Sequence, residues 1–303
     1  MKTRRGLTSA RAVADIFGPS LEELFANYLS YLTRAEKPSA DGARFQWRVL
    51  APYFARRTVA EIDHNACLAY AKLRRAAGVR DGTIWAELSR LRAALGHAQR
   101  CGTISVVPQF WKPSPPRRRE RWLTHDEARQ LITAASKAPH IRLFIILALA
   151  TAGREAALLE LTWDRVDIEL GLIDLDNPKR ALTSKRRATV AINAMARDAL
   201  VDAKARARSP FVIEYGGRAV RCVWAGVAAA AARAGLRGVS PNVLRHTAGS
   251  WQAQAGVPLL AIADFMANDV TTAARNYLKL TPGHLTAAAA AVNLEGIAHA
   301  PAA

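Results

Sequence analysis

Cysteine is scarce. Cys67, Cys101 and Cys222 are the only three in 303 residues, and none forms a CxxC pair. That excludes a disulfide framework and a cysteine-built zinc site, and it suits a reducing, cytoplasmic setting. No apolar run is long enough to cross a bilayer. The most hydrophobic stretch, LFIILALATAG from Leu143, is bracketed by Arg142 and Arg154 and reads as a buried helix. The N-terminal MKTRRGLTSARAVADIF is basic but has no apolar segment leading to a cleavage site, so no secretion signal is expected. Acids are also few: 25 Asp and Glu against 43 Lys and Arg give a net charge of +18 and a pI near 10.7. An excess of that size suits a polyanionic partner, nucleic acid first, with a basic surface kept for solubility as the alternative.

What is present is a foldable chain. Half the residues are hydrophobic and mean hydropathy is −0.02, which fits folded domains rather than extended disorder. The length suffices for two domains, each with its own core.

Residues 20–112 carry helical periodicity and no strand pattern. SLEELFANYLSYL opens with Ser20 as N-cap and Glu22 and Glu23 in the first turn. DGTIWAELSRLRAALGHAQRCG is expected to start after an Asp81-Gly82 turn and to stop at Gly102. It bears Arg90, Arg92 and Arg100. Pro113, Pro115 and Pro116 then hold the chain extended, and Arg117, Arg118, Arg119 and Arg121 make residues 113–121 a stiff, cationic strap. A strap lying on DNA phosphates is the favoured reading, against a solvated linker. Thr124 and Glu127 form a capping box that restarts helix. Further on, LIDLDNPKRALTSKRRATVAI reads as strand, basic turn, strand, and PFVIEYGGRAV as a short hairpin around Gly216-Gly217. Helices return to the end, where LTAAAAAVNLEGIAHA reads as an alanine-rich helix.

TAGREAALLELTWDRVDIELGLIDL, the basic strand turn, SPNVLRHTAGSWQAQAGVPLLAIADFM and TTAARNYLKLTPGHL occur in an order and spacing that resemble the tyrosine recombinases, the phage-type integrases. The resemblance covers nearly the whole chain, and its specificity lies in the ordered set rather than in any one motif. It implies a mainly α fold with a small β-sheet in the catalytic domain. The expected layout is a basic extension (1–19), a helical, SAM-like core-binding domain (20–112), a linker (113–121), an α+β catalytic domain (122–283) and a C-terminal helix (284–303) passed between protomers or folded back. It also implies a C-shaped clamp on double-stranded DNA. The assembly would be a tetramer on two DNA sites, weakly associated or monomeric without DNA, with an accessory directionality factor and no membrane partner.

In that family a tyrosine hydroxyl attacks a DNA phosphodiester and leaves a 3′-phosphotyrosyl link and a free 5′-hydroxyl, without metal or cofactor. Fixed cations stabilise the charge gathered on the non-bridging oxygens, and arginine suits because its fork grips two oxygens and keeps its proton. By resemblance, Arg154 and Arg245 are the two arginines and Tyr277, thirty-two positions after Arg245, is the nucleophile. The bland readings are a surface arginine at a helix start and a tyrosine packed in a core. His246 reads as a structural hydrogen-bonding residue rather than an acid–base group. The general acid of the β-turn maps to Lys185, with Ser184 or Thr183 in the alternative register and Lys179 as fallback; Arg90, Lys179, Arg186 and Arg187 are also expected on DNA.

The pattern is broken at two positions. Asn242 stands where the family has His, three residues before Arg245, and Asn268 stands nine before Tyr277, where FMAND replaces Leu-Gly-His. An amide donates a hydrogen bond to phosphate but does not exchange a proton near neutral pH. Proton assistance is worth about 10²–10⁴ in rate, so a slow recombinase is expected. A recombinase-derived DNA-binding protein that no longer cuts is the competing reading, and a nicking or relaxing enzyme a third.

Overall fold

A computed structural model describes residues 18–116, 121–178, 186–281 and 283. The chain forms two compact units, Met1–Arg119 and Glu120–Ala303.

Among its described residues the first unit has four α-helices, α1 (Leu21–Arg34), α2 (Ala40–Phe54), α3 (His64–Ala76) and α4 (Asp81–Arg100), and no strand. Ser20 and Glu23 close a reciprocal capping box at the start of α1. Leu21, Leu24, Phe25, Tyr28 and Leu32 then fall on one face and are buried, with Phe25 stacked on Trp47 at 4.3 Å between ring centroids. The opening of α4 differs from expectation. Asp81 and Gly82 lie inside its first turn, because Asp81 is ion-paired to Arg75 at 2.7 Å and favours a helix N-terminus. Its end conforms: the helix stops at Arg100 and Gly102 takes φ +73°, a backbone glycine alone adopts readily. One charge is buried deliberately. Glu87, 3% exposed, accepts from Tyr70 Oη at 2.8 Å and from Arg74 Nη2 at 2.6 Å.

The second unit begins with α5 (His125–Ala134), started by the Thr124/Glu127 box. The apolar run forms α6 (Pro139–Thr151), with Leu143 through Leu149 all buried. Around it lie α7 (Glu155–Leu159), α8 (Ala194–Lys204), α9 (Trp224–Arg233), α10 (Pro241–Gln254), α11 (Leu259–Phe265) and α12 (Val270–Tyr277). The sheet has three antiparallel strands, β1 (Val166–Asp167), β2 (Leu172–Asp174) and β3 (Thr189–Ala191), with Ile173 facing Val166 on one side and Val190 on the other. β1 escapes the sequence pattern, since two residues show no alternation. The hairpin β4 (Glu214–Tyr215) and β5 (Arg218–Ala219) turns on Gly216 and Gly217, both at positive φ as its two-residue turn requires. Residues 1–17 of the basic extension, Arg117 to Arg119, the turn bearing Lys179 and Lys185, and the C-terminal helix expectation lie outside the described residues. The remaining layout is mainly α with a small sheet.

Helices α6 and α10 pack against each other and position the site. Leu123, just after the linker, is tied to α10 twice. Its N–H donates to Thr247 Oγ1 at 2.9 Å, and its carbonyl accepts from Trp251 Nε1 at 2.9 Å. A small core of Ala152, Ala248, Ile262, Met266, Ala273 and Tyr277 closes the far side of α10.

Candidate active site

Arg154 is the N-cap of α7, just after the buried end of α6, and Arg245 sits on the second turn of α10. The segment Met266-Ala267-Asn268, between α11 and α12, joins them. Arg245 donates to the Met266 carbonyl at 2.5 Å and to Asn268 Oδ1 at 2.9 Å. Arg154 donates to the Ala267 carbonyl and to the same Oδ1, both at 3.2 Å. Arg186 Nη2 reaches the Asn268 carbonyl at 3.0 Å, and the Arg186 carbonyl accepts from Arg154 Nη1 at 2.5 Å. Three successive carbonyls therefore hold three arginines. The Asn268 side chain bridges two of them as a neutral acceptor, a role no spacing argument predicts.

That segment is strained to do so. Ala267 takes φ +47°, at the position where the family pattern has glycine. Ala152 takes φ +50°, and its carbonyl accepts from Arg245 Nη1 at 2.5 Å. Left-handed backbone costs an L-residue about 1–2 kcal/mol, held here by the arginine bonds and surrounding packing.

Arg245 is 9% exposed. Burial and the nearby Arg154 guanidinium push its pKa down to about 10, so at neutral pH it stays a charged, poorly solvated cation. Two such groups close together repel, and an anion between them relieves both. Thr151, Ala152, Gly153, Arg154, Arg245 and Ala267 line a small pocket at this point.

Tyr277 ends α12 and is 2% exposed. Its ring lies over Gly249 of α10, where a Cβ would come within 2.6 Å of Cζ and 2.8 Å of Oη. The glycine is the seat for the phenol. Tyr277 Oη lies 3.2 Å from His246 Nδ1. Burial raises the phenol to about 12, and the Arg245 charge opposes that rise. Arg154, Arg245, Asn268 and Tyr277 thus meet in one place. Asn242, in the first turn of α10, is exposed.

The cations expected on DNA divide differently. Arg187 is 4% exposed in its side chain and ion-paired to Glu160 at 2.8 Å. Arg121 meets both carboxylate oxygens of Glu127, at 2.7 and 2.9 Å. Arg90 is half-buried and donates to Gln46 Oε1 at 2.7 Å. All three are engaged within the chain because a nearby acceptor compensates their desolvation. Arg186 is exposed beside the site. Among the described residues no group of three or more His, Cys, Asp or Glu is placed to hold a metal ion. No helix there is long and apolar enough to cross a membrane.

The chain is 27% identical over 217 residues to the integrase of Salmonella phage P22, covering 66% of this chain and 54% of that protein's length. Its fold is similar to the Tn1549 transposon integrase in complex with circular intermediate DNA, with TM-score 0.75 and 17% identity over 90% of this chain and 99% of that one. It is also similar to a lambda integrase dimer bound to a core site, with TM-score 0.69 and 16% identity over 91% and 81% of the two chains. Residues 121–284, more than half the sequence, match the model of the phage integrase family. The chain therefore belongs to that family, the tyrosine recombinases.

Proposed function

We propose that this chain is a site-specific DNA recombinase of the integrase type, cleaving through a 3′-phosphotyrosyl intermediate on Tyr277. The carrying observation is the pair of guanidiniums, Arg154 and Arg245, drawn onto one oxygen of Asn268 while the Tyr277 phenol packs against the Arg245 helix. Two fixed cations suit the non-bridging oxygens of one phosphodiester, and their charge is worth most where water is excluded. Lys185 is the proposed donor to the leaving 5′-oxygen, and Arg117, Arg118, Arg119, Arg186 and Lys179 the proposed phosphate contacts outside the catalytic pair. Duplex DNA is the partner, with a tetramer on paired sites and an accessory factor setting direction, in the cytoplasm of a bacterial host. A lambda integrase tetramer bound to a Holliday junction shares the fold, with TM-score 0.66, and supports that assembly.

A second reading is a DNA-binding protein that no longer cuts, favoured by the amides Asn242 and Asn268 and by the burial of Tyr277. A core sequence selected from a randomised duplex pool, then nicked to make a suicide substrate, separates the two. Covalent trapping that disappears in Tyr277→Phe supports the recombinase. Tight, salt-sensitive binding with no adduct supports the binding protein.

A further inference from the structure

With amides at Asn242 and Asn268, neither family histidine position offers a proton acceptor. One imidazole nevertheless faces the nucleophile. His246 follows Arg245 on α10, and its Nδ1 lies 3.2 Å from Tyr277 Oη, with ring centroids 6.3 Å apart. We propose that His246 is a catalytic residue, the base that takes the Tyr277 proton as the phenol attacks; this rests on the reading of the site as one that forms a phosphotyrosine.

The geometry suits the task. Oxygen and nitrogen are within hydrogen-bond reach before any substrate arrives. Gly249 leaves the ring no Cβ to clear, so Oη is held at that distance by close packing. An imidazole, unlike an amide, exchanges a proton near neutral pH. The need is also quantifiable: a phenol at about 12 is ionised in only about one molecule in 10⁵ at pH 7. The charge that acts on the phenol is Arg245 on α10, with Arg154 at the start of α7 acting in turn on that arginine.

The Tyr277 proton passes to His246 Nδ1 while the phenolic oxygen bonds to phosphorus. The bond from phosphorus to the 5′-oxygen breaks, and that oxygen takes a proton from a donor on the leaving side. On rejoining, the 5′-hydroxyl gives its proton back to that donor as its oxygen bonds to phosphorus, the bond from phosphorus to Tyr277 Oη breaks, and the imidazolium returns its proton to the departing phenolate.

This role requires Nδ1 to be the unprotonated ring nitrogen, with the proton on Nε2. Long-range proton–nitrogen NMR of the ¹⁵N-histidine-labelled protein without DNA reads that tautomer directly, with His246→Gln assigning the signal. A protonated Nδ1 in the neutral ring, donating to the phenol oxygen, overturns the inference whatever the protein does to DNA. The kinetic arm uses the selected nicked duplex. His246→Ala and His246→Gln should trap about 10²-fold more slowly at pH 7, with DNA affinity and melting temperature retained. The variant rates should climb with hydroxide where the wild-type rate levels off, and added imidazole should partly restore His246→Ala. Wild-type trapping with His246 variants within threefold at every pH overturns this inference alone. A wild-type chain with the Nε2–H tautomer but no adduct overturns the recombinase reading, and the catalytic role with it.

Discussion

Gly249 offers the sharpest structural perturbation. In Gly249→Ala the new Cβ lies 2.6 Å from Tyr277 Cζ, 2.8 Å from its Oη and 2.7 Å from Met266 Sδ, whereas ordinary contacts lie at 3.4–4 Å. The phenol must move by roughly 1 Å, since the flexible thioether can yield and the helix cannot. Overpacking of this kind costs about 1–3 kcal/mol. The exchange of glycine for alanine inside a helix returns about 0.5–1 kcal/mol. The net destabilisation is therefore about 0–2.5 kcal/mol, a loss of up to several degrees in Tm. A double-mutant cycle isolates the clash: in a Tyr277→Ala background the overpacking vanishes and the alanine becomes neutral or mildly stabilising, giving a coupling of about 1–3 kcal/mol. On a nicked suicide duplex, Gly249→Ala should trap about 10²-fold more slowly, because a 1 Å misplacement costs about that much. DNA affinity should hold, because the arginines are untouched. Equal effects of Gly249→Ala in both backgrounds, or an unchanged trapping rate, would refute the claim that this glycine seats the nucleophile.

Other outcomes follow from the same contacts. Asn268→Asp places a carboxylate between Arg154 and Arg245; it should stabilise the free protein by about 1–3 kcal/mol and weaken DNA binding, with a shallower salt dependence, read by thermal melts and a salt titration. Ala267→Gly should raise stability by about 0.5–1 kcal/mol, because it removes left-handed strain of about 1–2 kcal/mol against the entropy cost of glycine. Glu87→Ala leaves Arg74 and the Tyr70 hydroxyl without their acceptor and should cost about 3 kcal/mol in chemical denaturation. Tyr277, raised to about 12 in the folded state against about 10 unfolded, contributes stability that is complete below pH 10 and lost as pH rises towards 12. The difference between wild type and Tyr277→Phe should shrink over that window by up to about 3 kcal/mol.

The sequence made the helices legible where local chemistry decides them. Ser20 with Glu23 and Thr124 with Glu127 are caps written within four residues, and the apolar run at Leu143 fits only a buried helix. β1 was not legible, because its pairing with β2 comes from the sheet and not from its own two residues. The opening of α4 is not legible locally, because the Arg75 partner that keeps Asp81 in the helix lies outside the local pattern. At the site, ordered motifs were enough to name Arg154, Arg245 and Tyr277, and the structure gathers them. They were not enough to show what Asn268 does, since a shared acceptor exists only once α7, α10 and the segment before α12 have met. Charge counting likewise did not show the internal partners of Arg187, Arg121 and Arg90. A cation reads the same in sequence whether it faces solvent or an internal partner such as Glu160, Glu127 or Gln46. Gly249 gave no signal, being one small residue in a helix until the Tyr277 ring lies across it.

Everything proposed here requires Arg154, Arg245 and Tyr277 to act on one phosphodiester. The most direct test is to trap the wild-type chain on a nicked suicide duplex and sequence the DNA-linked peptide by mass spectrometry. The expected result is a 3′-phosphate ester on Tyr277, a free 5′-hydroxyl on the cleaved strand, and no adduct in Arg154→Ala, Arg245→Ala or Tyr277→Phe. An adduct on another residue, or tight duplex binding with no adduct under any condition, would contradict it.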